Sequence, residues 1–87
     1  GMPAQGEEER QLAARMKLYM QSQGLSEPES EVLSQIALGL TGMQIAHRTH
    51  YSYGAVNTMR TEGYRKLGVH SKSELSHCLG KNVVVAD

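Results

Sequence analysis

Residues 41–67 read Thr-Gly-Met-Gln-Ile-Ala-His-Arg-Thr-His-Tyr-Ser-Tyr-Gly-Ala-Val-Asn-Thr-Met-Arg-Thr-Glu-Gly-Tyr-Arg-Lys-Leu. Two helix starts stand in this stretch. Thr41 and Gln44 have the spacing of a capping box, in which each residue satisfies the other's orphan backbone N–H. A short helix is expected from there through Ile45 and Ala46 to about Arg48 or Thr49. Residues 49–52 (Thr-His-Tyr-Ser) read as a tight turn. Ser52 is the next N-cap, with Tyr51 before it and Val56 after it placed as a hydrophobic staple. A longer helix is expected over about 53–67. Val56, Met59, Gly63 and Leu67 mark its inner face, Tyr64 lies beside them, and Gly68 closes it.

Outward from this centre the same punctuation repeats. Glu7 to Gln23 carries Leu12, Met16, Tyr19 and Met20 at helical spacing, starts on Glu7, Glu8 and Glu9, which suit a helix N-terminus, and stops at Gly24. Ser26 and Glu29 form a second capping pair with Pro28 in the first turn, and Val32, Leu33, Ile36 and Ala37 follow up to Gly39. Leu40 is expected to fold back in a Schellman close. Ser71 and Glu74 open a last helix through Leu75, Cys78 and Leu79, which Gly80 is expected to end. Residues 2–6 and the tail from Lys81 to Asp87, with Val83, Val84 and Val85, read as loose ends. The fold class is all-α: four short helices and one additional N-terminal helix. A short helix, a turn of about four residues and a longer helix with polar residues outward is a helix-turn-helix. In that motif the second helix enters the DNA major groove.

At 87 residues there is room for one small domain. A pocket with a cofactor fold is not expected in so short a chain. No apolar run approaches the roughly 18–20 residues of a membrane span, and no signal-peptide pattern is present. A single cysteine, Cys78, excludes an internal disulfide framework and a cysteine-based zinc site. A cytoplasmic setting follows as the expectation. Gly1 before Met2 reads as a remnant of tag removal, which would make Met2 the native start. Nine Lys/Arg balance nine Asp/Glu. The balance hides an asymmetry: Glu7, Glu8, Glu9, Glu27, Glu29 and Glu31 outnumber Arg10, Arg15 and Lys17 in residues 1–46, while Arg48, Arg60, Arg65, Lys66 and Lys72 face only Glu62 in residues 47–72. A segregated charge of this kind is a partner signal.

Residues 25–79 resemble the LuxR-type (GerE-like) helix-turn-helix DNA-binding domain. The matching stretches are Leu25-Ser26-Glu27-Pro28-Glu29-Ser30-Glu31-Val32-Leu33, Ile36-Ala37-Leu38-Gly39-Leu40-Thr41 and Gln44-Ile45-Ala46. After the turn come Ser52, Val56, Arg65-Lys66-Leu67-Gly68-Val69 and Ser71-Lys72-Ser73-Glu74-Leu75. The chain departs from the family pattern at Ala55-Val56-Asn57, where Thr-Val-Lys is usual, at Met59 for a frequent His, at Gly63 and Tyr64, and at Thr49, where Leu is common. Pro28 stands one place later than the family's usual Pro. Gly63 is expected to permit close helix–helix approach.

The resemblance implies a transcriptional regulator that binds double-stranded DNA. Three parts are implied: a tail and extra helix over 1–24, serving as linker or dimer contact, the DNA-binding domain over 25–80, and a tail over 81–87. By position it implies that Asn57, Thr58 and Thr61 face base edges. The residue types agree, because Asn bonds adenine in a bidentate way and a Thr methyl meets the thymine methyl. Thr41, Gln44, Arg48, Ser52, Tyr53, Arg60, Arg65 and Lys66 are candidate backbone contacts. For Arg65 and Lys66, compensation of the helix dipole is a second reading that is compatible with the first. The last helix is the dimer surface in proteins the chain resembles, which makes Leu75, Cys78 and Leu79 the expected homodimer interface and a palindromic site the consequence. RNA polymerase is a further candidate partner. The N-terminal helix has three candidate roles: packing on the domain, pairing with a second chain, or belonging to a linker. No catalytic set, cofactor site or metal site is expected: His47 and His50 lie at i, i+3 and His77 adjoins Cys78, pieces on different elements without ligand-like spacing. The rival reading is a protein-interaction module that keeps the fold and has lost sequence-specific DNA binding.

Overall fold

The computed structural model describes residues 6–83 as five helices, α1 (Glu7–Ser22), α2 (Glu27–Ala37), α3 (Gly42–Thr49), α4 (Tyr53–Leu67) and α5 (Lys72–Asn82), with no strand among the described residues. Four of the five start on a side-chain cap. Ser26 Oγ accepts from Glu29 N at 3.2 Å while Glu29 Oε1 accepts from Ser26 N at 2.9 Å. Thr41 and Gln44 repeat the exchange at 3.1 and 2.9 Å. Ser52 Oγ accepts from Ala55 N at 3.0 Å. Ser71 Oγ accepts from Glu74 N at 3.0 Å, but the Glu74 carboxylate reaches past Ser71 to accept from His70 N at 2.8 Å. Ser71 and Glu74 thus make one half of a capping box, the Ser71 side chain on the Glu74 N–H. α1 has no side-chain cap and instead carries Glu7, Glu8 and Glu9 in its first turn.

The C-terminal closes follow the sequence in all but one place. Leu40 N donates to Gln35 O and Gly39 N to Ile36 O, both at 3.0 Å, with Gly39 at φ 101°. This is the Schellman geometry, and it needs a residue without a Cβ penalty at that φ. Gly68, at φ 73°, closes α4 in the same way through Val69 N to Tyr64 O at 3.0 Å. α5 does not end at Gly80. It continues to Asn82, whose Nδ2 donates to Cys78 O at 2.8 Å, while Val83 N donates to Leu79 O at 2.8 Å. Gly80 is an exposed helical residue, and helix interiors tolerate glycine at a cost of about 1 kcal/mol. Lys81 and Asn82, expected in the tail, are helical; residues 1–5 and 84–87 lie outside the described residues.

The core is aliphatic and thioether: Met16 and Met20 from α1, Leu25, then Val32, Leu33 and Ile36 from α2, Ile45 from α3, Val56 from α4, Val69, and Leu75 and Leu79 from α5. These form one cluster. α1 packs on α2, so of its three candidate roles the structure shows packing on its own domain. Lys17 on α1 reinforces the contact, its Nζ 2.9 Å from both Glu27 and Glu31 of α2. Gln21 adds bonds to Glu27 at 3.1 Å and Ser30 at 3.0 Å. α4 lies against α2 and α3. Its approach to α2 is set by Gly63: a Cβ there would stand 2.9 Å from both Leu33 Cδ atoms and 3.2 Å from Leu25 Cδ2. No helix among the described residues is long and apolar enough to cross a membrane.

Candidate nucleic-acid interface

The turn between α3 and α4 decides how the second helix is presented. His50 ends α3 in the left-handed region at φ 64°, and its N–H donates to Ala46 O at 3.0 Å. Thr49 Oγ1 donates to Ile45 O at 2.7 Å and accepts from Tyr51 N at 3.3 Å. The threonine that replaces an apolar residue common in the family thus spends its hydroxyl inside the turn. Ser52 then starts α4 at once. Tyr53 lies across the first residue of α3, with its Cε1 3.0 Å from where a Cβ on Gly42 would be. The starts of the two helices are locked side by side, and the backbone N–H groups of a helix start favour anions.

On α4 the buried side is Val56 and Gly63. About 100° per residue places Gly54, Thr58, Thr61 and Arg65 in one row on the opposite side. All four are exposed, and Asn57 beside them is half-buried. The three residues expected at base edges therefore share one outward region. Each threonine hydroxyl donates back along its own helix, Thr58 to Gly54 O at 3.1 Å and Thr61 to Asn57 O at 2.9 Å. The Asn57 amide makes no hydrogen bond among the described residues.

The expected backbone contacts divide into two groups. Thr41, Gln44, Arg48, Ser52, Tyr53 and Arg60 are exposed around α3 and the start and flank of α4. Arg48 and Arg60 form no ion pair among the described residues, and Arg60 stands near Tyr64, whose phenol burial pushes up. Arg65 and Lys66 are already engaged. Arg65 pairs with Glu62, Nε to Oε2 at 3.1 Å, and lowers that carboxyl below its usual range. Lys66 Nζ donates to Glu29 Oε1 at 2.8 Å across the α2–α4 contact, where both side chains are largely covered. That bond is the main cause holding the Glu29 carboxyl low. Lys66 is thus a tie between helices in this structure, which sequence spacing did not reveal because its partner lies on another element.

The expected dimer residues need a correction. Leu75 is 0% exposed and Leu79 4% exposed, both inside the chain's own core. They have no surface to offer a second copy. Cys78 is half-buried, its Sγ 4.0 Å from the Tyr19 hydroxyl of α1. The exposed residues of α5 are Lys72, Ser73, Glu74, Ser76, His77, Gly80, Lys81 and Asn82. Among the described residues no group of three or more His, Cys, Asp or Glu is arranged to hold a metal ion.

The surface is an exposed polar helix held beside a second helix start, with an exposed arginine on each of the two helices. Such a surface can lie in a groove and meet phosphates on both sides. No curated protein and no solved structure matches the chain significantly. The family described as bacterial regulatory proteins, luxR family, matches residues 23–79, which run from the end of α1 through most of α5 and make up more than half of the chain. The chain belongs to the luxR family of bacterial regulatory proteins, whose domain is a regulatory DNA-binding module.

Proposed function

We propose that the protein is a sequence-specific regulator that binds double-stranded DNA, with α4 in the major groove and α3 bracing against the backbone. The observation that carries this reading is the outward row of α4. Thr58 and Thr61 are exposed beside an Asn57 amide with no internal partner, Arg60 is an exposed cation on the same helix, and Arg48 is an exposed cation of α3. Asn57 supplies the donor–acceptor pair for adenine. Thr41, Gln44, Ser52 and Tyr53 frame phosphates at the two helix starts. Binding occupies a promoter site, with no bond made or broken. Two copies on a palindromic site remain the natural arrangement for a domain that reads so few bases. Their contact would use the outward face of α5 with Cys78 at its edge, and Leu75 and Leu79 would support that helix from within.

A second reading, an interaction module for a protein such as RNA polymerase, draws on Met43. It is 67% exposed and borders a shallow groove with Leu38 and Leu40. Selection from a randomised duplex pool separates the two. Enrichment of a defined, two-fold-symmetric sequence is expected. Asn57→Ala should relax the preference at one base pair, a loss of about 1–3 kcal/mol in discrimination. Recovery of no preferred sequence would favour the protein-partner reading.

A further inference from the structure

The reading surface of α4 is unusual in what it lacks. The commonest specific contact to guanine is a bidentate arginine or lysine on O6 and N7. The outward row offers only Arg65, which sits in the last turn with its guanidinium on Glu62. Recognition helices read bases chiefly through their N-terminal residues. Arg60 is about 100° around the helix from Thr61, on the flank that carries Tyr64. Gly54 presents no side chain. Thr58 and Thr61 have each spent their one hydroxyl hydrogen on a carbonyl of the preceding turn, Gly54 O and Asn57 O. Each is left with an acceptor lone pair and a methyl group. With Tyr53 and Arg60 assigned to phosphates in the proposed function, the side-chain donors that remain on α4 for base edges are those of the Asn57 amide.

We infer that the DNA facing α4 is rich in A·T pairs and is read largely through thymine methyl groups, which Thr58 and Thr61 contact with their own methyls while Asn57 takes an adenine. The inference rests on the proposed function and specifies its substrate. Adenine gives the amide its bidentate partner and thymine gives the methyls theirs; an amino group for a lone pair is offered by adenine and cytosine alike, so the amide and the methyls carry the preference. Guanine presents two acceptors in the major groove, to which the back-bonded threonines bring no hydrogen.

The test removes methyls from the DNA and leaves the protein unchanged. Affinity is measured for the duplex recovered from the selection and for the same duplex with deoxyuridine in place of thymine, which deletes the C5-methyl and keeps every hydrogen-bonding edge. The deoxyuridine duplex should bind more weakly, by about fourfold for each methyl in contact, the factor that corresponds to one buried carbon. Thr61→Val, which keeps a methyl and loses the hydroxyl, should preserve the thymine–deoxyuridine difference. Thr61→Ser, which keeps the hydroxyl and loses the methyl, should shrink it. A selected site dominated by G·C pairs, or equal affinity for the thymine and deoxyuridine duplexes, would overturn the inference and leave the DNA-binding function standing. Failure to bind any duplex would overturn both.

Discussion

Gly63 carries two opposed effects. In an exposed helix, Gly→Ala gains about 1 kcal/mol. At Gly63 the added carbon would stand 2.9 Å from both Cδ atoms of Leu33, which is fully buried, so that side chain would have to shift within the core. Overpacking a filled core costs about 1–3 kcal/mol, so Gly63→Ala should lower stability by about 1 kcal/mol net. Gly80→Ala, in the open with nothing within 4 Å of the new carbon, should raise it by about 0.5–1 kcal/mol. Urea melts of the two variants check the pair, and a stabilised Gly63→Ala would contradict the close α2–α4 contact. His50 differs again. Left-handed backbone costs a non-glycine residue about 1–2 kcal/mol, part of which glycine returns as extra freedom of the unfolded chain. His50→Gly should therefore stabilise slightly, by about 0.5 kcal/mol, in the same melts. The notch at Gly63 was legible in the sequence because it falls on the apolar side of a helical repeat. His50 was not, because histidine is no marker of positive φ, and the turn geometry that demands it comes from packing α4 back onto α3.

At the scale of elements, Glu29 does two tasks with one carboxylate. It caps α2 through Ser26 N and holds Lys66 of α4. The Lys66 ammonium, helped by the Ser26 N–H and opposed by burial, keeps its pKa below the usual value in the folded chain. A lowered carboxylate pKa adds stability that is complete above the unfolded value, near 4.3, and is lost as pH falls through the folded value. Glu29→Gln should retain much of the cap and lose the ion pair, at a cost of about 1 kcal/mol at neutral pH. Thermal melts from pH 7 to pH 3 should show the wild type losing its advantage below about pH 4.3, so that the two curves converge in acid. Parallel curves would mean that the pair contributes nothing. The capping half of this role was legible, since Ser-x-x-Glu is a local spacing. The tie to Lys66 was not, because it joins residues 37 positions apart and depends on how two helices cross.

For the whole molecule, the decisive packing fact is that α1 belongs to the core. Met20 is completely buried between elements, and Met20→Ala should cost about 2–5 kcal/mol, as much as a truncation within α2. A loss under 0.5 kcal/mol, measured by denaturant unfolding, would mark α1 as a detachable appendage. The same packing explains where sequence reasoning about α5 went astray. Helical spacing picked out Leu75 and Leu79 as one apolar face, and the family resemblance pointed that face at a second copy, but neither says whether the two side chains meet their own chain first. The described structure gives both residues to the core. Charge was legible in its distribution and misleading in its sum: within the basic stretch, Arg65 and Lys66 are paired with Glu62 and Glu29, while Arg48, Arg60 and Lys72 form no ion pair among the described residues, and of these Arg60 lies on α4 and Arg48 on α3. The most direct measurement is therefore the affinity for duplex DNA as a function of salt, for the wild type and for Arg48→Ala with Arg60→Ala. Each phosphate contact contributes about 0.9 to the slope of log affinity against log salt. The account predicts a steeply salt-dependent wild type and a slope shallower by about 2 in the double variant. Weak binding that ignores both the salt and the two substitutions would contradict it.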